Sequence, residues 1–179
     1  VLPELRLAPV AQRIPLSDSP VSLSDRILGA HYRHPDFYVV EREKTREYAN
    51  AVKNTDPEFF SDESAAELGY GGLAAPLTFI SVFGYVAQVA SFTHHGIKLA
   101  DHQIVHVDQV LKFLQPIVAG DKLFCDVYVH EVRQAHDTDI VVNKVVITNE
   151  DGDVVQENYT TLAGRSAENG ESGFSYDTA

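Results

Sequence analysis

The chain has 179 residues, 44% of them hydrophobic, and a formal charge of −12 from 14 Lys and Arg against 26 Asp and Glu. That length can bury one substantial core, so a single domain with trimmings is expected. The charge argues against nucleic acid and anionic membrane surfaces as partners, because both need concentrated Lys and Arg.

Residues 1–22 carry four of the eight prolines, Pro3, Pro9, Pro15 and Pro20, with little apolar periodicity, and are expected to form an extended or disordered arm. The folded domain is predicted to span residues 23–164. Ser24-Asp25 can cap a short helix, Tyr38-Val39-Val40 can form a strand, and helices are predicted over about 42–53 and 62–68, the second ended by Gly69. From Leu68 to Thr93 there is no Asp, Glu, Lys or Arg, and residues 77–92 are apolar on nearly every face. A membrane span has about this length, but Pro76, Ser81, Gln88 and Ser91 interrupt it and no basic anchors flank it. A helix wrapped by protein is the better reading, so no membrane insertion is expected.

Beyond residue 100 the pattern turns to period two and β-branched residues. Strands are predicted at Gln103–Phe113, Lys122–Val132, Ile140–Asn149 and Val154–Ala163, with turns at Pro116 to Asp121, at Ala135-His136-Asp137 and at Asp151-Gly152. A long helix followed by an antiparallel meander gives the α+β class, with the helix packed on one sheet face. The polar stretch from Arg165, residues 165–179, is expected to be a flexible tail. The N-terminus lacks the basic start and apolar core of a signal peptide, and one cysteine excludes an internal disulfide, so a cytoplasmic location is expected. Cys125 lies in a strand pattern and reads as a small packing residue, not a nucleophile.

The segment Asn54-Thr55-Asp56-Pro57-Glu58-Phe59, followed by Ala65, Gly69 and the uncharged run from Pro76, has a distinctive spacing. It resembles the active-site loop of the R-specific hydratases and dehydratases of the MaoC-like hot-dog family, which reads roughly Asp-x-Asn-Pro-x-His, then Ala, Gly, and His-Gly before the central helix. On that alignment Asn54 stands at the acidic position, Phe59 at the histidine, and Ala75-Pro76 at the His-Gly pair, with one residue deleted after Gly69. Removing water from a (3R)-3-hydroxyacyl thioester needs a base at the α carbon, an acid for the leaving hydroxyl and donors for the thioester oxygen. Asn54 and Phe59 exchange no proton near neutral pH, and Pro76 has no backbone N–H. These three positions are vestigial, and no catalytic residue is assigned. Thr-Asp-Pro could equally be an ordinary turn that opens a short helix.

A longer similarity favours the first reading. The blocks His31-Tyr32-Arg33-His34-Pro35-Asp36, Glu41-Arg42-Glu43-Lys44, Ala65-Ala66-Glu67-Leu68-Gly69-Tyr70, Ala75-Pro76-Leu77-Thr78-Phe79, Val107-Asp108-Gln109 and Tyr159-Thr160-Thr161-Leu162 are similar to the non-catalytic subunits of the mycobacterial type II (3R)-hydroxyacyl-ACP dehydratases, within the MaoC-like family. The resemblance implies a single hot-dog fold, in which a curved antiparallel sheet wraps a long apolar central helix. It also implies a heterodimer with a catalytic MaoC-like B subunit that supplies Asp and His, and a long 3-hydroxyacyl chain delivered on an acyl carrier protein. Such carriers are acidic, so a local basic patch or the partner must receive them. Candidates for an acyl-chain channel are Phe79, Ser81, Phe83, Tyr85, Phe92 and the strand residue His106, although aromatics on such a helix are also ordinary core. No cofactor is expected. A metal site built from His94, His95, His102 and His106 is a poor reading, since adjacent histidines do not easily face one ion. A homodimeric acyl-thioester-binding protein, and an enzyme that uses Asp56 as a displaced acid or base, stay open as alternatives.

Overall fold

The structure is a computed structural model that describes residues 22–100, 103–166 and 172–176. The expected N-terminal arm therefore lies outside the described residues, apart from Ser22. In chain order the elements are α1 (Leu23–Ile27), β1 (His31–Arg33), β2 (Tyr38–Val39), α2 (Arg42–Ala51), a 3₁₀ turn (Pro57–Phe59), α3 (Asp62–Glu67), a 3₁₀ segment (Leu77–Val82), α4 (Gly84–His94), β3 (Ile97–Leu99), β4 (Ile104–Phe113), β5 (Lys122–Ala135), β6 (Thr138–Thr148), β7 (Val154–Arg165) and β8 (Phe174–Tyr176). The main sheet runs β1-β5-β6-β7-β4, all antiparallel, with β2 also pairing β5, and it leaves β4 as an edge. The sheet packed on a central helix is the expected hot-dog arrangement.

Local signals account for most of these elements. Ser22, not Ser24, caps α1. Its hydroxyl accepts from the Asp25 N–H, and the Asp25 carboxylate accepts from the Ser22 N–H, a reciprocal capping box. Ser61 caps α3 by accepting from the Ser64 N–H, and Gly69 leaves that helix at a φ of 87°. The β5–β6 turn places both His136 and Asp137 at positive φ, 47° and 56°, which matches the twist of a two-residue hairpin. Between β6 and β7 the Asn149 side chain accepts from the N–H groups of Asp151 and Asp153, while Gly152 takes the left-handed turn position. Along β6 buried and half-buried residues alternate strictly, so Val141, Val145 and Ile147 face the helix.

The central helix differs from the continuous one expected. Residues 77–82 wind as 3₁₀ helix, Phe83 departs from helical geometry at φ −125°, and α4 starts at Gly84. Phe79 and Ile80 of the 3₁₀ stretch and Phe83 at the bend are all buried, while Leu77 at its start is exposed. A Cβ on Gly84 would lie 3.0 Å from Ile80 Cγ1, so the bend closes around a residue with no side chain. The first half of this segment packs Phe79, Ile80 and Phe83 against Val127, Val145 and Ile147. The second half packs Phe92 against a separate cluster with Val129, Val141 and Phe174.

That second cluster corrects the expected flexible tail within its described residues. β8 pairs antiparallel with β3, Phe174 opposite Leu99, and Phe174 is 1% exposed. The segment crosses β7 where Gly164 and Gly173 meet: a Cβ on Gly173 would lie 2.7 Å from the Gly164 Cα. Polar composition concealed one apolar anchor, Phe174, whose binding site is assembled from distant residues. Arg26 of α1 lies over the Tyr176 ring at 4.2 Å and holds the other end of the strand.

Candidate functional site

The three positions that align with the family's acid, histidine and His-Gly pair meet in one place. Asn54, Phe59 and Pro76 all line a cavity of about 640 Å³ that is also lined by residues 113–117, at and beyond the end of β4. The groups at and beside these three positions make structural contacts. The Asn54 side-chain oxygen accepts from the Asp56 N–H at 3.1 Å and shapes the turn into Pro57–Phe59. The Phe59 ring is 9% exposed and packs with Ala49 and Ala74, so it joins a small core where a histidine would face the cavity. Ala75 donates its N–H to the Ile117 carbonyl at 2.8 Å, and Pro76 has none, so neither residue offers a donor to a developing oxyanion. The carboxylates Asp56 and Glu58 also line this cavity, from an exposed and a half-buried position.

A second cavity, of about 360 Å³, lies between α4 and the inner faces of β4 and β7. It shares no lining residue with the first. Four of the six channel candidates, Ser81, Tyr85, Phe92 and His106, line it. Phe79 and Phe83 do not. Phe83 stacks on Tyr38 with ring centroids 4.7 Å apart, and Phe79 sits edge-on to both Tyr38 and Tyr48, so both are core. The reason is helical phase. Ser81, Tyr85, Gln88 and Phe92 recur at spacings of four, three and four and share a face, while Phe79 and Phe83 lie on the face turned to β2 and β5. A segment that is apolar all round carries no mark of which face is which. Pairing of β4 with β7 shifts register between His106 and Asp108, and the His106 Nε2–H donates to the Asp108 carbonyl at 3.1 Å.

The lining of this second cavity is less apolar than the sequence reading anticipates. Gln88, Gln109, Asn158 and Thr160 contribute to it, and none of them was a candidate. Gln109 Nε2 donates to Asn158 Oδ1 at 3.3 Å. Asn158 and Thr160 are two apart on β7, so the period-two pattern was the available signal: both point to the helix side along with Gln156.

Other reactive groups have structural surroundings. Cys125 is buried in the main core, and burial, reinforced by the neighbouring Asp126 charge, pushes its thiol up to about 12. Asp126 itself binds His31 Nε2 at 2.7 Å and the Arg33 guanidinium, tying β1 to β5. No group of three or more His, Cys, Asp or Glu among the described residues is placed to hold a metal ion, and His102 lies outside them. No helix among the described residues is long and apolar enough to cross a membrane.

Comparison with known proteins agrees with this geometry. The family pattern described as the FAS1-like dehydratase domain region matches residues 26–158. A UPF0336 protein of Mycobacterium leprae is 63% identical over 155 residues, covering 87% of this chain and 98% of its own. A UPF0336 protein of Mycobacterium tuberculosis is 65% identical with the same coverage. Among solved structures, a chain of the C-terminally truncated HadBC (3R)-hydroxyacyl-ACP dehydratase complex from Mycobacterium tuberculosis superposes with a TM-score of 0.71 at 46% identity, over 77% of this chain and 97% of that one. With a MaoC-like hot-dog fold and a matching pattern across most of its length, this chain belongs to the FAS1-like dehydratase domain family.

Proposed function

We propose that this chain is the non-catalytic, substrate-binding and stabilising subunit of a heterodimeric (3R)-hydroxyacyl-ACP dehydratase, a HadA-like partner for a catalytic MaoC-like B subunit. It acts in the cytoplasm, in the type II elongation that builds mycolic acids. The reaction removes the α proton and the β hydroxyl of a (3R)-3-hydroxyacyl thioester as water and leaves a trans-2-enoyl thioester on the acyl carrier protein. The observation that carries this reading is the first cavity, where the three positions aligned with the family's acid, histidine and His-Gly pair converge as Asn54, Phe59 and Pro76, none of which exchanges a proton near neutral pH, and where neither Ala75 nor Pro76 has a free N–H. Under this reading both protons are handled by residues of the partner, and the carboxylates Asp56 and Glu58 that also line the cavity take no part.

Two further features support the assignment. β4 is a ten-residue edge strand on which Val105 and Val107 are 64% and 59% exposed, the kind of edge that accepts a strand from another chain. Tyr85 and Val86 expose apolar surface on the adjoining face of α4. The second cavity, with Ser81, Tyr85, Phe92 and His106, is assigned to the acyl chain, where each buried methylene is worth about 0.8 kcal/mol. The test is a dehydration assay on long and short 3-hydroxyacyl thioesters, with the chain alone and with its B-type partner. Turnover by the pair and none by the chain alone is expected; robust dehydration by the chain alone refutes the assignment.

The same β4 edge could pair with itself, which would give a homodimeric acyl-thioester-binding protein without activity. Native mass spectrometry of the co-expressed chains separates the two, since a one-to-one heterodimer excludes the homodimer. If Asp56 acted as a displaced acid or base, Asp56→Asn would abolish turnover by the pair; under the present proposal it leaves turnover nearly unchanged.

A further inference from the structure

The second cavity is furnished for a ligand that makes hydrogen bonds, not for a bare hydrocarbon. Gln88, Asn158 and Thr160 line it and are 7%, 2% and 5% exposed, so bulk water does not satisfy them. The Gln109 amide answers Asn158 Oδ1, but Thr160 Oγ1 has no hydrogen-bond partner among the described residues. Directly across the strand pair from Thr160 stands Asn143, 1% exposed, whose Oδ1 and Nδ2 both lack partners in the same sense. Three orphaned polar atoms on two adjacent inward-facing residues are costly to bury, and native interiors rarely leave them so. A saturated acyl chain laid against Thr160 would offer them nothing.

We infer that this cavity contains a subsite for an oxygen function of the ligand, a hydroxyl or an amide carbonyl, held by the lining residue Thr160 through its hydroxyl, with the Asn143 amide behind it on β6, outside the lining. The inference rests on the reading of this chain as the acyl-thioester-binding subunit. Both groups can donate and accept, so they suit either oxygen chemistry. Such a group can come from two sources, the amides of a pantetheine arm or a hydroxyl within the acyl chain. In either case the subsite sets the depth at which the ligand sits, because one position along it is pinned and the alkyl remainder is not. The vestigial cavity at Asn54 takes no part, since the two cavities have no lining residue in common.

The test measures binding of three ligands of equal chain length to the complex of this chain with its partner: a saturated free acid, the same acid with one mid-chain hydroxyl, and the saturated chain as its pantetheine thioester. At least one of the hydroxy acid and the thioester is expected to bind about 2- to 13-fold tighter than the saturated acid, the worth of one net hydrogen bond. Thr160→Val, which keeps the shape and removes the hydroxyl, is expected to erase that gain, and Asn143→Leu to reduce it. Loss confined to the hydroxy acid assigns the oxygen to the acyl chain, and loss confined to the thioester assigns it to the pantetheine arm; both support the subsite. Equal or tighter binding of the saturated acid, or ratios unchanged in both variants, means a pocket that holds only water and overturns the inference. An active pair with unchanged ratios overturns this inference alone, whereas failure to bind any of the three ligands overturns the proposed function with it.

Discussion

The docking of the C-terminal strand against β7 can be tested with a double-mutant cycle between Gly164 and Phe174. Phe174→Ala removes a ring that is 1% exposed and lies 5.9 Å from Phe92, centroid to centroid. Truncations of this kind cost about 3–5 kcal/mol. Gly164→Ala adds a Cβ that would stand 2.6 Å from Phe174 Cε2 and 2.9 Å from Cδ2. Overpacking of that kind costs about 1–3 kcal/mol. Most of the collision is with the ring, so Gly164→Ala should cost much less once the ring is gone. A coupling on the order of 1–2 kcal/mol is expected, within the range for residues in direct contact. Gly173→Ala supplies the contrast, because its Cβ would meet Gly164 Cα at 2.7 Å and the Gln103 carbonyl oxygen at 2.9 Å, both backbone atoms. Phe174→Ala should not rescue it. Urea unfolding followed by circular dichroism, under identical conditions for all variants, reads these energies from the midpoints. Costs for Gly164→Ala and Phe174→Ala that add to within about 0.5 kcal/mol would refute the packing argument.

Two predictions concern titration. Cys125 should resist alkylation at pH 8 in the folded chain and react in urea, because burial foremost, with the Asp126 charge second, raises its thiol from 9.0 to about 12. Between those values the folded chain keeps a proton that the unfolded chain releases, so stability falls as pH rises from 9.0 toward about 12, and Cys125→Ala should flatten that alkaline decline. Glu157 behaves in the opposite sense: its hydrogen bond to Lys144, at 2.6 Å, holds its carboxyl below the ordinary 4.5, and Lys112 assists. Its contribution is present above pH 4.5 and lost as pH falls through the depressed value, so Glu157→Gln should show a shallower acid limb by less than about 1 kcal/mol in pH-dependent urea midpoints.

Some of this protein is written in short stretches of its chain. That Asn54 and Phe59 exchange no proton near neutral pH is a matter of covalent formula, and the turn at Asn54 to Phe59 follows from an asparagine and a proline close together. Strands β4 to β7 follow from period-two alternation punctuated by turn residues, and their predicted limits differ from the observed ones by no more than three residues. What tertiary structure decided depends on contacts between distant residues. A central segment that is apolar on every side does not say which side meets the core, so the separation of Phe79 and Phe83 from Tyr85 and Phe92 had to come from packing. The Ser81 to Phe92 face acquires its cavity only when Thr160 and Asn158 arrive from a strand more than sixty residues away. β8 has three residues and a polar neighbourhood, too little for a local signal. It exists because β3 offers an edge to pair with and because two glycines, Gly164 and Gly173, allow the chains close enough for Phe174 to reach the end of the central helix.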